Sequence, residues 1–544
     1  MRNVVLKLAF RAGACAVFAA ISVTGRAADA TFPLAADCAS LKGLAIAASA
    51  IGLPTGGAAV ETAVAVKASE AHNASGDFCK VTGLIKNATA SSAVFEFEVN
   101  LPDAWNGRAL QMGGGGYDGS LVNALGAYTL QLPGEDTPLK RGYVTLGSNG
   151  GHRGGQGFDG TFGFDDEALL NYGKQSIKKT HDVAMVIVRK AYGRAPQRFY
   201  FVGGSQGGHE ALDAAARYPG DYDGVVAHFP AYNVTMLHLG SWNVGRALYA
   251  DNGAGWMDVA HVKLITDAVR AKCDALDGAK DGIISNVAGC NATFDVKTLR
   301  CANGSTGDNC LSDAQLKAVA RIAADYKPGV SIAGMDTFPK WPLLEGAAFA
   351  GASNFGKYPQ PSNPLSGSEP LLYSAGDATI KDIITRDPKF DTLRFDPNLY
   401  KARIATVASI MDVTDQSLEP FRAKGGKIIM THGTADDFIT PHNSIAYYKR
   451  QQARFGQSRL DGFMRFYVIP GFGHGFGTFD AKFDALPALE QWVESGKAPA
   501  GLIATDANPN ANRTRPLCEY PKYPQFTGSA GSENAAAGFT CSEK

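Results

Sequence analysis

Neither sign of charge dominates this chain: across 544 residues, 52 Lys and Arg face 52 Asp and Glu, and no long run of either sign occurs. A polyanion would find no basic stripe to neutralise it, so nucleic acid is not an expected partner. After its first 30 residues the sequence also lacks any apolar run approaching the roughly 20 residues that a membrane-spanning helix needs. Internal repeats are absent. So are the closely spaced Cys and His pairs on which zinc sites are built. Cysteine itself is scarce, nine residues in all.

Apolar residues make up 45% of the chain, ample for a core. The length exceeds one ordinary compact domain, which predicts a large core carrying an insertion, or two to three domains. At the amino end, Arg2, Lys7 and Arg11 precede an apolar stretch from Ala12 to Val23, followed by Ala27, Ala28 and Ala30. This pattern reads as a signal peptide over residues 1–30, cleaved between Ala27 and Thr31, with a secreted or periplasmic product and no membrane contact after its removal. Most of the apolar run follows Cys15, the wrong order for lipid attachment there. Loss of Cys15 leaves eight cysteines, an even number that suits disulfides in an exported chain. Their grouping favours four local pairs: Cys38 with Cys79, Cys273 with Cys290, Cys301 with Cys310, and Cys518 with Cys541.

Alternation from Val94 to Leu101 reads as a half-buried strand, and Ala109–Met112, Gly142–Leu146, Arg198–Val202 and Gly224–Pro230 read as further strands. Helical spacing occupies 176–192 and 208–218. Strands alternating with helices predict an α/β architecture with a mainly parallel sheet. The alternation then stops and resumes at Lys427–Met430, Phe463–Ile469 and a helix near Pro487–Glu494. The gap is far too long for a structureless loop. It holds Trp256, Tyr326, Phe338, Trp341, Phe349, Phe355, Tyr358 and Tyr373. The resulting division is 31–235 for the first part of the core, 236–422 for a lid, and 423–544 for the rest of the core with its tail.

Gly203-Gly204-Ser205-Gln206-Gly207 joins a predicted strand to a predicted helix. Small residues around a serine in that context form the nucleophile elbow of α/β-hydrolases, a strained turn that exposes the hydroxyl. The elbow order of serine, acid and histidine selects His474, in the glycine-rich loop after the last strand. His432 and His442 are weaker candidates, and His72, His152, His181, His209, His228, His238 and His261 read as surface or packing residues. Asp436 and Asp437 both follow the strand at Lys427, and position favours Asp436 while Asp437 reads as solvated. The amide of Gln206 is one oxyanion donor, and the loop Gly113–Gly116 supplies the other, with Gly116 preferred.

A second cluster, Asp274-Ala-Leu-Asp277-Gly-Ala279-Lys-Asp281-Gly-Ile283, packs three carboxylates between glycines. Asp274, Asp277 and Asp281 side chains with Ala279 and Ile283 carbonyls could wrap calcium, although a solvated turn fits the spacing equally well.

Trp105-Asn-Gly-Arg, Gly113–Gly116, Gly203–Gly208, Cys273–Ile283, Gly425–Met430, His432–Asp436, Pro470–His474 and Arg513–Cys518 together resemble the tannase and feruloyl esterase family over nearly all of the mature chain. The resemblance implies an α/β-hydrolase fold with an inserted lid, a Ser205, Asp436 and His474 triad, oxyanion donors at Gly116 and Gln206, structural Ca2+ at the acidic loop and no organic cofactor. It also implies the four cysteine pairs above and a small-molecule aromatic ester, hydroxycinnamoyl or galloyl, as substrate. Terephthalate half-esters are the alternative, though no Arg in the lid segment Ser366–Ile384 stands ready for their free carboxylate. A binding protein that merely retains the fold is the alternative from another class. One departure is plain: the family places bonded cysteines directly before the serine and after the histidine, where this chain has Gly204 and Gly475.

Overall fold

A computed structural model of the protein describes residues 31–155, 157–302, 307–414 and 416–543. The expected signal segment and Cys15 lie outside the described residues. One ten-stranded sheet organises the chain. Its strands are β1 (Ala45–Ile46), β2 (Ala58–Val66), β3 (Phe78–Ile85), β4 (Phe95–Pro102), β5 (Arg108–Met112), β6 (Val144–Ser148), β7 (Arg198–Gly204), β8 (Gly224–His228), β9 (Lys427–Gly433) and β10 (Met464–Ile469). The spatial order is β10-β9-β8-β7-β5-β6-β4-β3-β2-β1.

Strands β5 to β10 run parallel. Every residue of β8 is buried, as are all of β9 after Lys427, because helices cover both faces of this half. The flanking helices include α1 (Ser176–Tyr192) and α2 (Gln206–Arg217). Strands β1 to β4 continue the sheet antiparallel to one another, and β4 pairs antiparallel with β6. The order reverses where β5 leads to β6 on one side and β7 lies on the other. Ligands of open α/β sheets bind beyond the carboxyl ends of strands at such a switch point.

Between β8 and β9 the chain leaves the sheet and builds the insertion, which includes α3 (Val234–Gly253) and α4 (Val259–Cys273). The expected boundary at 236 falls inside α3. Trp242, Phe338, Trp341, Phe349, Phe355 and Tyr373 form the insertion's own apolar core, joined by Tyr117, Phe162 and Ile439 from the sheet side. Most of its aromatics therefore serve packing, whereas Tyr358 is exposed. From Thr31 onward the chain forms one compact unit.

After β10 come a helix at Ala485–Ser495 and a tail of short strands. All four expected cysteine pairs are bonded: 38 to 79, 273 to 290, 301 to 310 and 518 to 541. Among the described residues no helix is long and apolar enough to cross a membrane.

Glu345 fastens the insertion to the core. Its buried carboxylate accepts from His442 Nε2 at 2.6 Å, on the helix Pro441–Phe455, and meets Lys340 Nζ at 2.5 Å. Burial alone would raise its pKa, but the His442 hydrogen bond and charge, with the Lys340 ammonium, hold it at about 2. A carboxyl depressed on folding contributes stability above its unfolded value, and that contribution is lost as pH falls toward the folded value. Glu345→Gln should therefore lower the melting temperature at pH 7 by more than at pH 3. Equal losses at both pH values would show that the ion pair does not fasten the insertion.

Candidate active site

Ser205 stands at the end of β7 with φ 60° and ψ −119°, a conformation that costs a non-glycine residue about 1–3 kcal/mol unless its surroundings enforce it. Here they do. The Ser205 amide donates to the His228 carbonyl at 3.0 Å, and the Ser205 carbonyl accepts from Ala231 and His209 amides, both at 3.1 Å. The glycines around it allow close approach. A methyl at Gly203 would lie 2.4 Å from Gly207 backbone, and one at Gly208 would lie 2.5 Å from the His228 carbonyl. At Gly204 a methyl would meet Thr129 Cγ2 at 2.7 Å and Phe229 Cζ at 2.8 Å. Backbone approaches this close require glycine at 203 and 208, whereas at 204 it is the Thr129 and Phe229 side chains that crowd the position.

His474, in the loop after β10, places Nε2 3.1 Å from Ser205 Oγ and Nδ1 2.9 Å from Asp436 Oδ2. The tautomer that fits carries its proton on Nδ1, leaving Nε2 to accept from the serine hydroxyl. Asp436, in the turn after β9, is fully buried. Its Oδ1 accepts from the Phe438 and Ile439 amides at 2.9 and 2.8 Å, and His432 Nε2 lies 3.2 Å from Oδ2. Burial would raise the Asp436 pKa, but the His474 charge and hydrogen bonds from His432 and His474 hold it well below the usual carboxylate range. It stays ionised.

His432 is therefore a neighbour of the acid and not a rival base. Its Nε2 also lies 2.7 Å from the Ile439 carbonyl, and its Nδ1 2.7 Å from Ser444 Oγ. Asp437 departs from expectation: it is buried, not solvated, and burial beside Asp436 pushes it up to about 6. Cover comes from the insertion, whose buried Ser353 hydrogen-bonds the Asp437 side chain. His152, His209, His228 and His238 are buried and held below their ordinary pKa by desolvation, as packing residues should be.

The loop after β5 reaches the same point. The Gly207 amide donates to the Gly114 carbonyl at 3.1 Å, and the Gly114 amide donates to Glu210 Oε2 at 2.8 Å. Gly116 has φ +60°. The buried Tyr172 hydroxyl lies 3.2 Å from the Gly116 carbonyl and 3.1 Å from Gln206 Oε1, so its one proton is shared between acceptors at the two expected oxyanion positions. As the first residue of α2, Gln206 offers an amide of the kind a helix leaves unpaired. Nothing local in the sequence marks Tyr172 or Glu210 as supports of the site, while His432, a weaker candidate for the base, turns out to sit beside Asp436.

Half-buried rings border the site. Phe438 packs edge-on to His474 with centroids 5.0 Å apart, and Phe158 lies 5.5 Å from Phe438 and 5.1 Å from Tyr117.

At the acidic loop, Asp274 and Asp277 are buried, and burial pushes both up, Asp277 to about 6. Asp274 Oδ1 accepts from the Asp281 and Gly282 amides, and Asp277 from the Ala279 and Ser285 amides. Asp281 pairs with Arg515 from the tail, and Arg513 Nη1 donates to the Asp281 carbonyl at 3.0 Å. Ile283 packs against Gly471, at the head of the His474 loop. Among the described residues, groups of three ligating side chains with mutually close ligand atoms occur elsewhere, at His181, Asp182 and Asp221 and at Asp258, His261 and Asp308.

Residues 79–542 match the family described as tannase and feruloyl esterase. An uncharacterized esterase of Agrobacterium fabrum is 37% identical over 93% of this chain and 93% of its own length. Mono(2-hydroxyethyl) terephthalate hydrolase of Piscinibacter sakaiensis is 31% identical over 86% of this chain and 85% of its own. In fold, the crystal structure of feruloyl esterase B from Aspergillus oryzae superposes with a TM-score of 0.74 at 24% identity, covering 93% of this chain and 99% of that one. With its α/β-hydrolase fold and these relatives, the chain is a carboxylic ester hydrolase and belongs to the tannase and feruloyl esterase family.

Proposed function

We propose that this chain is an exported serine esterase that cleaves esters of aromatic acids, hydroxycinnamoyl or galloyl, through an acyl-serine intermediate. The observation that carries the reading is the continuous hydrogen-bonded chain from Ser205 Oγ through His474 to buried Asp436 at the sheet's switch point. His474 Nε2 takes the serine proton as Oγ attacks the ester carbonyl, and Asp436 stabilises the imidazolium that results. The amides of Gly116 and Gln206 receive the oxyanion. His474 then protonates the leaving alcohol, and water, activated by the same nitrogen, releases the acid.

Aromatic acyl groups suit the half-buried Phe158 and Phe438 rings beside His474 and the Gly116 loop. The similarity to a terephthalate half-ester hydrolase makes that substrate class the second reading. Against it, the cation within 366–384, Lys381, is buried and committed to Asp377 at 2.9 Å. Export is supported by four disulfides, which persist in oxidising compartments.

The buried Asp274 and Asp277 carboxylates, with no Lys or Arg ion pair of their own among the described residues, fit a hard cation taking oxygen ligands. In this reading Asp274, Asp277 and Asp281 with the Ala279 and Ile283 carbonyls hold Ca2+, while Arg515 steadies Asp281 from outside. Bound calcium would neutralise the loop and brace it; it takes no part in the ester chemistry.

Ser205→Ala should abolish turnover of aryl esters with folding preserved, and unchanged turnover would overturn the assignment. Asp436→Asn should lower kcat by about 10^4, the scale expected when the triad aspartate no longer holds the histidine in the right tautomer, whereas Asp437→Asn should leave most activity. The reverse ranking would exchange the roles of the two aspartates. In a panel of methyl ferulate, methyl gallate, chlorogenate and a terephthalate half-ester, the first three should be preferred. Preference for the half-ester would select the second reading. Exhaustive chelation should lower the melting temperature, and added Ca2+ should restore it; an unchanged melting curve would leave the loop a turn held by its own amide hydrogen bonds.

A further inference from the structure

We propose that Phe229 is the positioning residue of this site, a single buried ring that braces the base, the support of the acid and the turn before the nucleophile together. The inference rests on the Ser205, His474 and Asp436 reading above. Phe229 directly follows β8 and is 4% exposed. Its φ of +34° is a conformation that bulky residues rarely adopt, and its amide is fixed by a 2.7 Å hydrogen bond to the Thr431 carbonyl of β9. That backbone sends the ring into the space between three separate segments.

Against His474 the ring centroids are 4.7 Å apart at 58°. Against Phe472, at the head of the histidine loop, they are 6.0 Å apart, and against His432, the neighbour of Asp436, 6.5 Å. The fourth contact is with the elbow, where Cζ lies 2.8 Å from the position a Cβ at residue 204 would take. Phe438 lies on His474 as well, at 5.0 Å and 70°, so two rings pack against the imidazole while Asp436 and Ser205 hold its nitrogens.

The loop needs such a support. Gly471, Gly473, Gly475 and Gly477 surround His474, and Gly475, with φ +87°, has open space where its side chain would be. Four glycines give the backbone wide freedom, while general-base catalysis requires the imidazole to be held within about 0.5 Å of its working position. Phe229 supplies from the core side what the loop's own sequence does not. Together with Thr129 the ring crowds position 204, where a Cβ would lie 2.7 Å from Thr129 Cγ2 and 2.8 Å from Phe229 Cζ.

The test compares wild type, Phe229→Leu and Phe229→Ala on an aryl ester, alongside the low-field proton resonance of the His474 Nδ1–H bonded to Asp436. Misplacement of a catalytic group by about 1 Å costs on the order of 100-fold, so Phe229→Ala should lose kcat on that scale with KM unchanged. Phe229→Leu should fall between, and the resonance should broaden in the same order. Should Phe229→Ala not fold, the leucine variant carries the test. A role confined to core packing would lower the melting temperature while leaving kcat per folded molecule and the resonance as in wild type, and that result overturns the proposal. So does a loss of kcat with an unchanged resonance. If Ser205→Ala retains turnover, the triad reading itself has failed; if that variant is inactive while Phe229→Ala keeps wild-type kcat, only the role of Phe229 has.

Discussion

A carboxylate buried without exposure is the constraint on which the rest of the site depends. Asp436 is removed from water, a state that is strongly unfavourable for a charge unless hydrogen bonds and opposite charge replace the lost solvation. Two backbone amides, His432 and His474 do so. The same bonds that make the charge tolerable fix the turn after β9 and orient the imidazole. The orientation of the base and the solvation of the acid are one arrangement, and weakening either weakens both.

The sheet delivers the remaining parts to this point. β7 ends at the strained serine and β5 ends at the Gly113–Gly116 loop, and Gly207 and Gly114 tie the two ends directly. Above them the insertion shares its apolar core with Tyr117 and Ile439, residues adjacent to catalytic loops. The tail reaches back through Arg513 and Arg515 to the acidic loop, whose Ile283 packs at the head of the histidine loop. Distant segments are thus coupled to His474 by contacts that can be named.

The parallel half of the sheet is legible in the sequence because its strands are short apolar runs ended by glycine, with helical spacing between them. Ser205 and His474 are legible for the same reason: the chemistry demands particular neighbours and a particular chain order. β2, with the sequence Ala-Ala-Val-Glu-Thr-Ala-Val-Ala-Val, has neither strong alternation nor bulky residues, and its pairing with β3 is settled by long-range contact. Phe229, Tyr172 and Glu210 act only through neighbours far along the chain, so no local pattern marks them. Asp437 looks solvated in sequence because it is charged and adjacent to a better candidate. Its cover comes from Ser353 in the insertion, a neighbour far along the chain.

If Ser205 is the residue that takes the acyl group, covalent labelling must find it there. An aryl phosphonate ester, which serine esterases attack but release very slowly, should modify one residue per chain, with activity falling in proportion. Peptide mapping by mass spectrometry should place the adduct on Ser205. Full modification of Ser205 with activity retained, or inactivation through an adduct on another residue, would contradict the account.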